Sequence, residues 1–201
     1  MRAADGRAFE ADQAFLCGGA GTATPFPQVM AGSGLRVCKL QMMRTVPLPD
    51  VRLPYSILSG LSIGRYHAFA SCPSYELMLT EPMQDGRLAA CGIHQPIKQE
   101  ADGSVVIGDS HQYADPADLS ALEERTDGDI NGAILEYARS MLRLPSWELQ
   151  SLWNGYYLVH ENEPIFTATV EGRIHIVTGI GGKGMSTGPG YAQYSVETVL
   201  D

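Results

Sequence analysis

The stretch from Arg173 to Asp201, RIHIVTGIGGKGMSTGPGYAQYSVETVLD, constrains the fold more than any other part of the chain. Ile174, Ile176 and Val177 have the β-branched character of a strand. A turn holding Gly179, Gly181, Gly182 and Gly184 follows, and then an amphipathic helix. Glycine lets the backbone take positive φ and approach a ligand closely, and a helix start aims unpaired N–H groups and partial positive charge at the same place. Such a turn is a seat for an anion or a cofactor, or else it simply packs a strand against a helix.

Gly179, Gly181 and Gly184 also meet the GxGxxG spacing of a dinucleotide-binding turn. A complete fingerprint needs a second strand after the helix, ending in an acidic residue that holds a ribose, within a unit of about 30 residues. The helix is still running at Asp201. The turn is therefore expected to finish a cofactor site rather than to constitute one.

With 201 residues and 44% hydrophobic content, the chain can bury a real core, as one domain or one domain plus part of another. The net charge is −9 and Lys and Arg do not cluster, which argues against a nucleic-acid surface. Asp115, Asp118, Glu123, Glu124, Asp127 and Asp129 concentrate the acidic charge and read as a solvated helix with its flanks. Cys17, Cys38, Cys72 and Cys91 show no metal-ligand spacing and are expected to be buried free thiols in a reducing compartment. No metal site is expected. The N-terminus lacks the apolar core of a signal peptide, and no long apolar run suggests a membrane span, so the expectation is a cytoplasmic protein.

Taken in order, residues 13–19 read as a buried strand entering a tight turn, and GAGT at 19–22 is either that turn or a phosphate-facing loop. Leu35–Thr45 reads as a long strand with Lys39 and Gln41 on one face. Tyr55–Phe69 suggests a second strand bent at Gly60 and Gly64, and Glu76–Thr80, Leu88–His94 and Ser104–Ile107 continue a mainly antiparallel sheet. Asp-Gly pairs at 85–86 and 102–103 mark hairpin turns. Ile130, Ile134, Ala138, Met141 and Leu142 then share one helix face, with Pro145 closing the helix. Ser146 reads as the N-cap of a short helix through Leu149 and Leu152, with Trp153, Tyr156 and Tyr157 just beyond it. The expected fold class is α/β with an α+β substrate domain: a large, mainly antiparallel sheet with flanking helices, plus the closing strand, turn and helix of a cofactor domain.

Ordered along the chain, AFLCGGAGT (14–22), KLQMMRT (39–45), DGSVVIGDSH (102–111), WNGYY and VTGIGGKGMSTGPG resemble the C-terminal half of the D-amino-acid oxidase, glycine oxidase and sarcosine oxidase family of FAD-dependent oxidoreductases. Cys38–Thr45, GDSHQY and GKGM resemble a bacterial subgroup associated with phosphonate use. The resemblance implies three parts: residues 1–34 as a remnant of an FAD-binding domain, 35–157 as a substrate-binding domain, and 158–201 as a return to the FAD-binding domain. Family members open with a strand, GxGxxG turn and helix that hold the ADP part of FAD, and nothing similar stands here. The implied partner is that missing N-terminal FAD-binding half, as an upstream part of the same polypeptide or as a separate chain.

In the family, an uncharged amine gives up hydride to the flavin and the resulting imine hydrolyses in water; the protein orients the reactants and stabilises charge. By resemblance, Gly179, Ile180, Gly181, Gly182, Lys183, Gly184 and Met185 contact the flavin ring, and Gly18 and Gly19 belong to the other cofactor turn. Family amino-acid oxidases clamp the substrate carboxylate with arginine at places that fall near Tyr157 and Gly182, and neither is arginine here. An ordinary α-amino acid is thereby disfavoured. Lys183 could offer a point charge to an anion, phosphonate included, or be a solvated lysine near a helix start. His94 and His111 fall on the substrate side, as catalytic or as hydrogen-bonded structural residues. Tyr156 and Tyr157 could wall a pocket for a small amine, or could simply pack. Some relatives attach flavin through a cysteine near the WNGYY position; no cysteine lies there, so noncovalent FAD is expected. A noncatalytic binding module that has lost the cofactor half, and a nicotinamide-dependent dehydrogenase read from GIGGKG alone, are the rival readings.

Overall fold

A computed structural model describes residues 2–23, 25–80, 86–122 and 124–200. The chain divides into two compact units, Met1–Val37 with Ala114–Leu119 and Tyr157–Asp201, and Cys38–Tyr113 with Ser120–Tyr156. In chain order the elements are β1 (Ala14–Leu16), α1 (Pro27–Met30), β2 (Leu35–Thr45), β3 (Ile57–Leu58), α2 (Gly60–Gly64), α3 (Tyr75–Thr80), α4 (Gly86–Ala90), β4 (Pro96–Gln99), β5 (Val105–Ile107), β6 (Gln112–Ala114), α5 (Gly128–Met141), β7 (Leu149–His160), β8 (Phe166–Val170), β9 (Ile174–Thr178) and α6 (Gly184–Leu200). Short 3-10 turns occupy Gly19–Ala23, His67–Phe69 and Gly181–Lys183.

The second unit is built on a sheet of order β3-β4-β5-β2-β6, with β7 also paired to β2. Antiparallel register sets Ile97 opposite Ile107 and Met43 opposite Ile107 on its other side, so three apolar side chains line up across the sheet. The apolar stripe of α5, Ile130, Ala133, Ile134 and Ala138, joins them and Val105 in one buried core. The Asp102-Gly103 hairpin forms as its sequence dictates: Gly103 has φ +87°, and Asp102 Oδ1 accepts from Ser104 N at 3.0 Å and Ser104 Oγ at 2.6 Å. Those hydrogen bonds, the hydroxyl's first, hold the Asp102 carboxyl below its ordinary pKa.

Lys39 and Gln41 do share a face of β2, and both are buried. Lys39 Nζ donates to Arg125 O at 3.0 Å, while Gln41 Nε2 donates to Asp127 O at 3.1 Å and Asn131 Oδ1 at 3.0 Å. Buried polar groups require such partners, and these anchor the entry of α5. Asp127 caps that helix, its Oδ1 accepting from Asp129 N at 2.7 Å and Ile130 N at 3.2 Å. Asp127→Ala should cost ~1 kcal/mol, read as a lower midpoint in urea with an unchanged slope.

Several sequence expectations give way here. Tyr55–Phe69 is not a strand: only Ile57–Leu58 pairs, with β4, and Gly60 and Gly64 bound the short helix α2 rather than bend a strand. Glu76–Thr80 lies in helix α3, and Leu88–His94 begins in helix α4 and continues as a turn. Short apolar runs suit either element, and no sheet edge here takes these up. Gly86 opens α4, whereas Asp85, the first residue of the expected Asp-Gly hairpin turn, lies outside the described residues. Ser146 caps a turn, not a helix, accepting from Glu148 N at 3.1 Å, and Leu149, Leu152, Trp153, Tyr156 and Tyr157 all belong to strand β7. Among the described residues the acidic stretch holds a turn at Asp115–Asp118 and the cap of α5 rather than one solvated helix, and Glu123 lies outside them. Only Cys38 is a buried thiol; Cys91 is half-buried, and Cys17 and Cys72 are exposed.

The first unit contains a three-stranded sheet of order β1-β9-β8. Strand β8, which the sequence reading omitted, pairs antiparallel with β9 from Phe166↔Thr178 to Val170↔Ile174. Strand β1 is half-buried rather than buried and pairs parallel with β9, Ala14 with Ile174 and Leu16 with Ile176. The final helix α6 buries no residue fully, and Met185, Tyr194 and Leu200 stand exposed. No helix among the described residues is long and apolar enough to cross a membrane.

Candidate functional site

In the first unit, parallel pairing decides which loops meet. Because β1 and β9 run in the same direction, the turns that leave them emerge at the same, carboxyl, end of the sheet, where ligands of α/β folds sit. Gly18 and Gly19 follow β1, and Gly179–Met185 follow β9. Two glycine turns far apart in sequence thus leave the same end of the sheet. Gly19 has φ +55° and its neighbourhood is open, so its glycine serves backbone conformation alone. Gly18 O accepts from Gly21 N at 3.1 Å, closing the 3-10 turn that the GAGT stretch forms.

The second turn is packed on one side and open on the other. Gly179 has φ +74° and Gly181 φ +65°, both in the region that favours glycine. A Cβ on Gly181 would sit 3.4 Å from Val159 Cγ2 and 3.9 Å from Tyr157 Cε2, and one on Gly184 would meet Ile180 Cγ2 at 3.1 Å. A β-bridge between Val159 and Ile180 fixes this side. Opposite it, Gly182, Lys183 and Met185 are exposed. The opening N–H groups of a short 3-10 turn have no acceptor within it, and α6 begins at Gly184 directly after the turn. The exposed N–H groups of this turn suit a group that gathers negative charge. Lys183 forms no ion pair among the described residues, and its carbonyl accepts from Thr187 Oγ1 at 3.0 Å. Tyr157 is half-buried against Gly181, while Tyr156, its neighbour on β7, is 43% exposed.

An apolar cavity of about 330 Å³ lies in the same unit, walled by Phe15, Cys17 and Val177 from the sheet and by Tyr191, Ala192 and Val196 from α6. Its lining carries no charge, so it cannot seat a phosphate. No sequence signal marked it, because its walls come from β1, β9 and α6 together.

In the second unit the structure brings His94 and His111 into contact, their ring centroids 4.3 Å apart. The main chain enforces this: His94 N donates to Asp109 O at 3.0 Å, and Gly92, with φ +59°, passes so close to His111 that a Cβ there would lie 2.6 Å from its carbonyl oxygen. His94 Nδ1 donates to Leu61 O at 3.2 Å. Burial, chiefly, and then electrostatic interaction with the neighbouring His111 and Arg65 push the His94 pKa down to about 4. Asp109 Oδ2 and Arg65 Nη1 both stand 3.2 Å from His111 Nε2. Tyr113 meets His111 edge-on at 6.1 Å. Asp109 and Arg65 were not among the residues expected from sequence. No cluster of three or more potential metal ligands occurs among the described residues.

The lowered His94 value predicts an acid-sensitive fold. An unfolded His94 takes up a proton near pH 6.5, and the folded one refuses it until about pH 4. Stability should thus be constant above pH 6.5 from this source and fall as pH drops from 6.5 toward 4. The ceiling is roughly 3 kcal/mol, and screening at a half-buried ring reduces it. Urea midpoints measured across that range, with His94→Gln flattening the slope, check it.

A family model described as FAD dependent oxidoreductase matches residues 2–198. A search of curated proteins gives no match. Among solved structures, glycine oxidase from Geobacillus kaustophilus superposes with a TM-score of 0.62 at 14% identity, covering 96% of this chain and 42% of the oxidase. Glycine oxidase from Bacillus cereus ATCC 14579 gives 0.59 at 15% identity, covering 94% and 42%. Iminodiacetate oxidase from Chelativorans sp. BNC1 gives 0.56 at 19% identity, covering 92% and 42%. The chain thus spans less than half the length of the oxidases whose fold it shares.

Proposed function

The chain belongs to the FAD-dependent oxidoreductase family, matched over residues 2–198, and we propose that it is the substrate-binding and ring-contacting portion of an enzyme that oxidises the C–N bond of a small amine or amino acid. The observation that carries this reading is the parallel β1–β9 pair, which sends the Gly18–Gly19 turn and the Gly179–Met185 turn off the same end of the sheet. The ADP-holding part of the cofactor site comes from polypeptide outside these residues, in cis or in trans. The 42% share of each oxidase that the chain covers supports this.

FAD, held noncovalently, supplies the two-electron acceptor that no side chain can provide. The chain's own residues bind, orient and balance charge. Backbone N–H groups of Gly182 and Lys183 would face the pyrimidine side of the ring and stabilise negative charge there, as fixed dipoles do without reorganising. Tyr157, seated against Gly181, backs the turn and holds its shape. Lys183 offers an ammonium to an anionic group on the substrate. Its single point charge, with no arginine fork in GIGGKG, suits a phosphonate as well as a carboxylate; an aminophosphonate is the substrate class we favour. Above pH 6.5, His94 is a neutral hydrogen-bond donor to Leu61 O and is no acid for the substrate.

Anaerobic addition of small amines, amino acids and aminophosphonates to the full-length holoprotein tests the proposal. Loss of the oxidised flavin absorption with one of these classes is expected, and a flavin that none of them reduces would instead favour a noncatalytic binding module. Lys183→Met should raise KM for an anionic amine on the order of tenfold, equivalent to ~1.4 kcal/mol, and leave KM for a neutral amine unchanged.

A further inference from the structure

His111 Nε2 has two neighbours that make incompatible demands on it. A guanidinium only donates hydrogen bonds and a carboxylate only accepts them. With its proton on Nε2, His111 can donate to Asp109 Oδ2, and Arg65 Nη1 then faces an N–H. With its proton on Nδ1, Nε2 can accept from Arg65, and Asp109 Oδ2 then faces a lone pair. The same nitrogen cannot satisfy both neighbours while the ring is neutral.

Burial decides between them. Asp109 is 8% exposed, and its other oxygen, Oδ1, has no hydrogen-bond partner among the described residues. Gln95, on the adjoining segment and fully buried, does not supply one, since its Nε2 is also without a partner. Taking away the Nε2–H as well would leave a buried carboxylate with no donor on either oxygen. Uncompensated buried charge is among the costliest arrangements in a protein. Arg65 is half-buried, lies over the Tyr66 ring at 5.3 Å, and has N–H groups besides the one at His111.

We infer that Asp109 is a positioning residue for His111: it keeps the imidazole proton on Nε2 and so makes Nδ1 the nitrogen that can take up a proton. Arg65 is the competitor that claims Nε2 when Asp109 is absent. The short separation of Asp109 and His111 in the chain serves this role, with Oδ2 3.2 Å from Nε2. Any use of Nδ1 on a substrate rests on the oxidoreductase reading; the tautomer itself does not.

Long-range 1H–15N correlation spectra of the histidine-labelled protein test this without cofactor or turnover. They are taken at a pH well above the ordinary imidazole value of ~6.5. Wild-type His111 should carry its proton on Nε2. Asp109→Ala should move it to Nδ1, and Arg65→Ala should leave it on Nε2. A wild-type His111 protonated on Nδ1 overturns the inference, as does an Asp109→Ala spectrum with the proton still on Nε2, or loss of the Nε2 proton in Arg65→Ala. Should Asp109→Ala fail to fold, the wild-type and Arg65→Ala spectra decide alone. Because flavin binding is read separately by absorbance, failure of this inference is distinguishable from failure of the proposed function.

Discussion

Gly92→Ala should be among the most damaging single substitutions in the chain, lowering stability by roughly 2–5 kcal/mol. Two costs combine. Holding alanine at φ +59° costs ~1–2 kcal/mol, and the new methyl would meet His111 O at 2.6 Å and His111 N at 3.1 Å. Those atoms are backbone, so relief requires moving a chain segment, which costs ~1–3 kcal/mol in a packed region. The segment displaced would be the one carrying His111, so the contact between His94 and His111 should weaken as stability falls. Urea unfolding gives the first quantity, and histidine ring shifts give the second. A Gly92→Ala protein within about 0.5 kcal/mol of wild type, the range of neutral surface changes, would contradict the close approach described above.

Gly179→Val should cost roughly 2–4 kcal/mol, for related reasons at the other turn. Valine at φ +74° is a conformational outlier, and its Cβ would stand 2.7 Å from Leu35 Cδ2 and 3.4 Å from Phe166 Cβ. Leu35 is 4% exposed, so its tip has little room to move away. Gly19→Ala is the informative control, since φ is +55° there but nothing lies within 4 Å of a Cβ. Its cost should be that of conformation alone, ~1–2 kcal/mol. Thermal melts of the two variants separate strain from crowding, and equal losses would contradict the packing assigned to Gly179.

The elements legible in the sequence were those with one dominant cause. Leu35–Thr45 is a strand from end to end because its run is long, partly alternating and free of glycine and proline, and Lys39 and Gln41 sit on the shared face that a period of two assigns them. Asp102-Gly103 makes its hairpin because turn chemistry is local, and α5 forms because its apolar stripe has a helical period. The misread segments lack such a cause. Residues 55–69 and 76–80 are short apolar runs whose state depends on whether a sheet edge takes them up. The residues of β7 were split between a helix and a loop because a strand with much of its length exposed shows no apolar alternation.

The candidate site divides along the same line. The glycines at 18, 19, 179 and 181 announce turns by residue type, but their placement at one end of the sheet depends on the parallel β1–β9 pair, which no local pattern encodes. His94 and His111 were readable as separate candidates, whereas their ring contact depends on Gly92 and on pairing between two distant segments. Asp109 could have been found, since an acid two residues before a histidine lies within reach of its ring. Arg65 could not, because it enters from the end of α2 by tertiary packing alone.

The central claim, a flavin-contacting turn at Gly179–Met185 in a family FAD enzyme, is tested most directly by the cofactor itself. The full-length gene product should be purified and its absorption spectrum recorded before and after denaturation. The account predicts an oxidised flavin spectrum in the folded protein and release of intact FAD on unfolding, with Gly179→Val lowering FAD occupancy. A folded full-length protein that carries no flavin, and takes none up from added FAD, would contradict it.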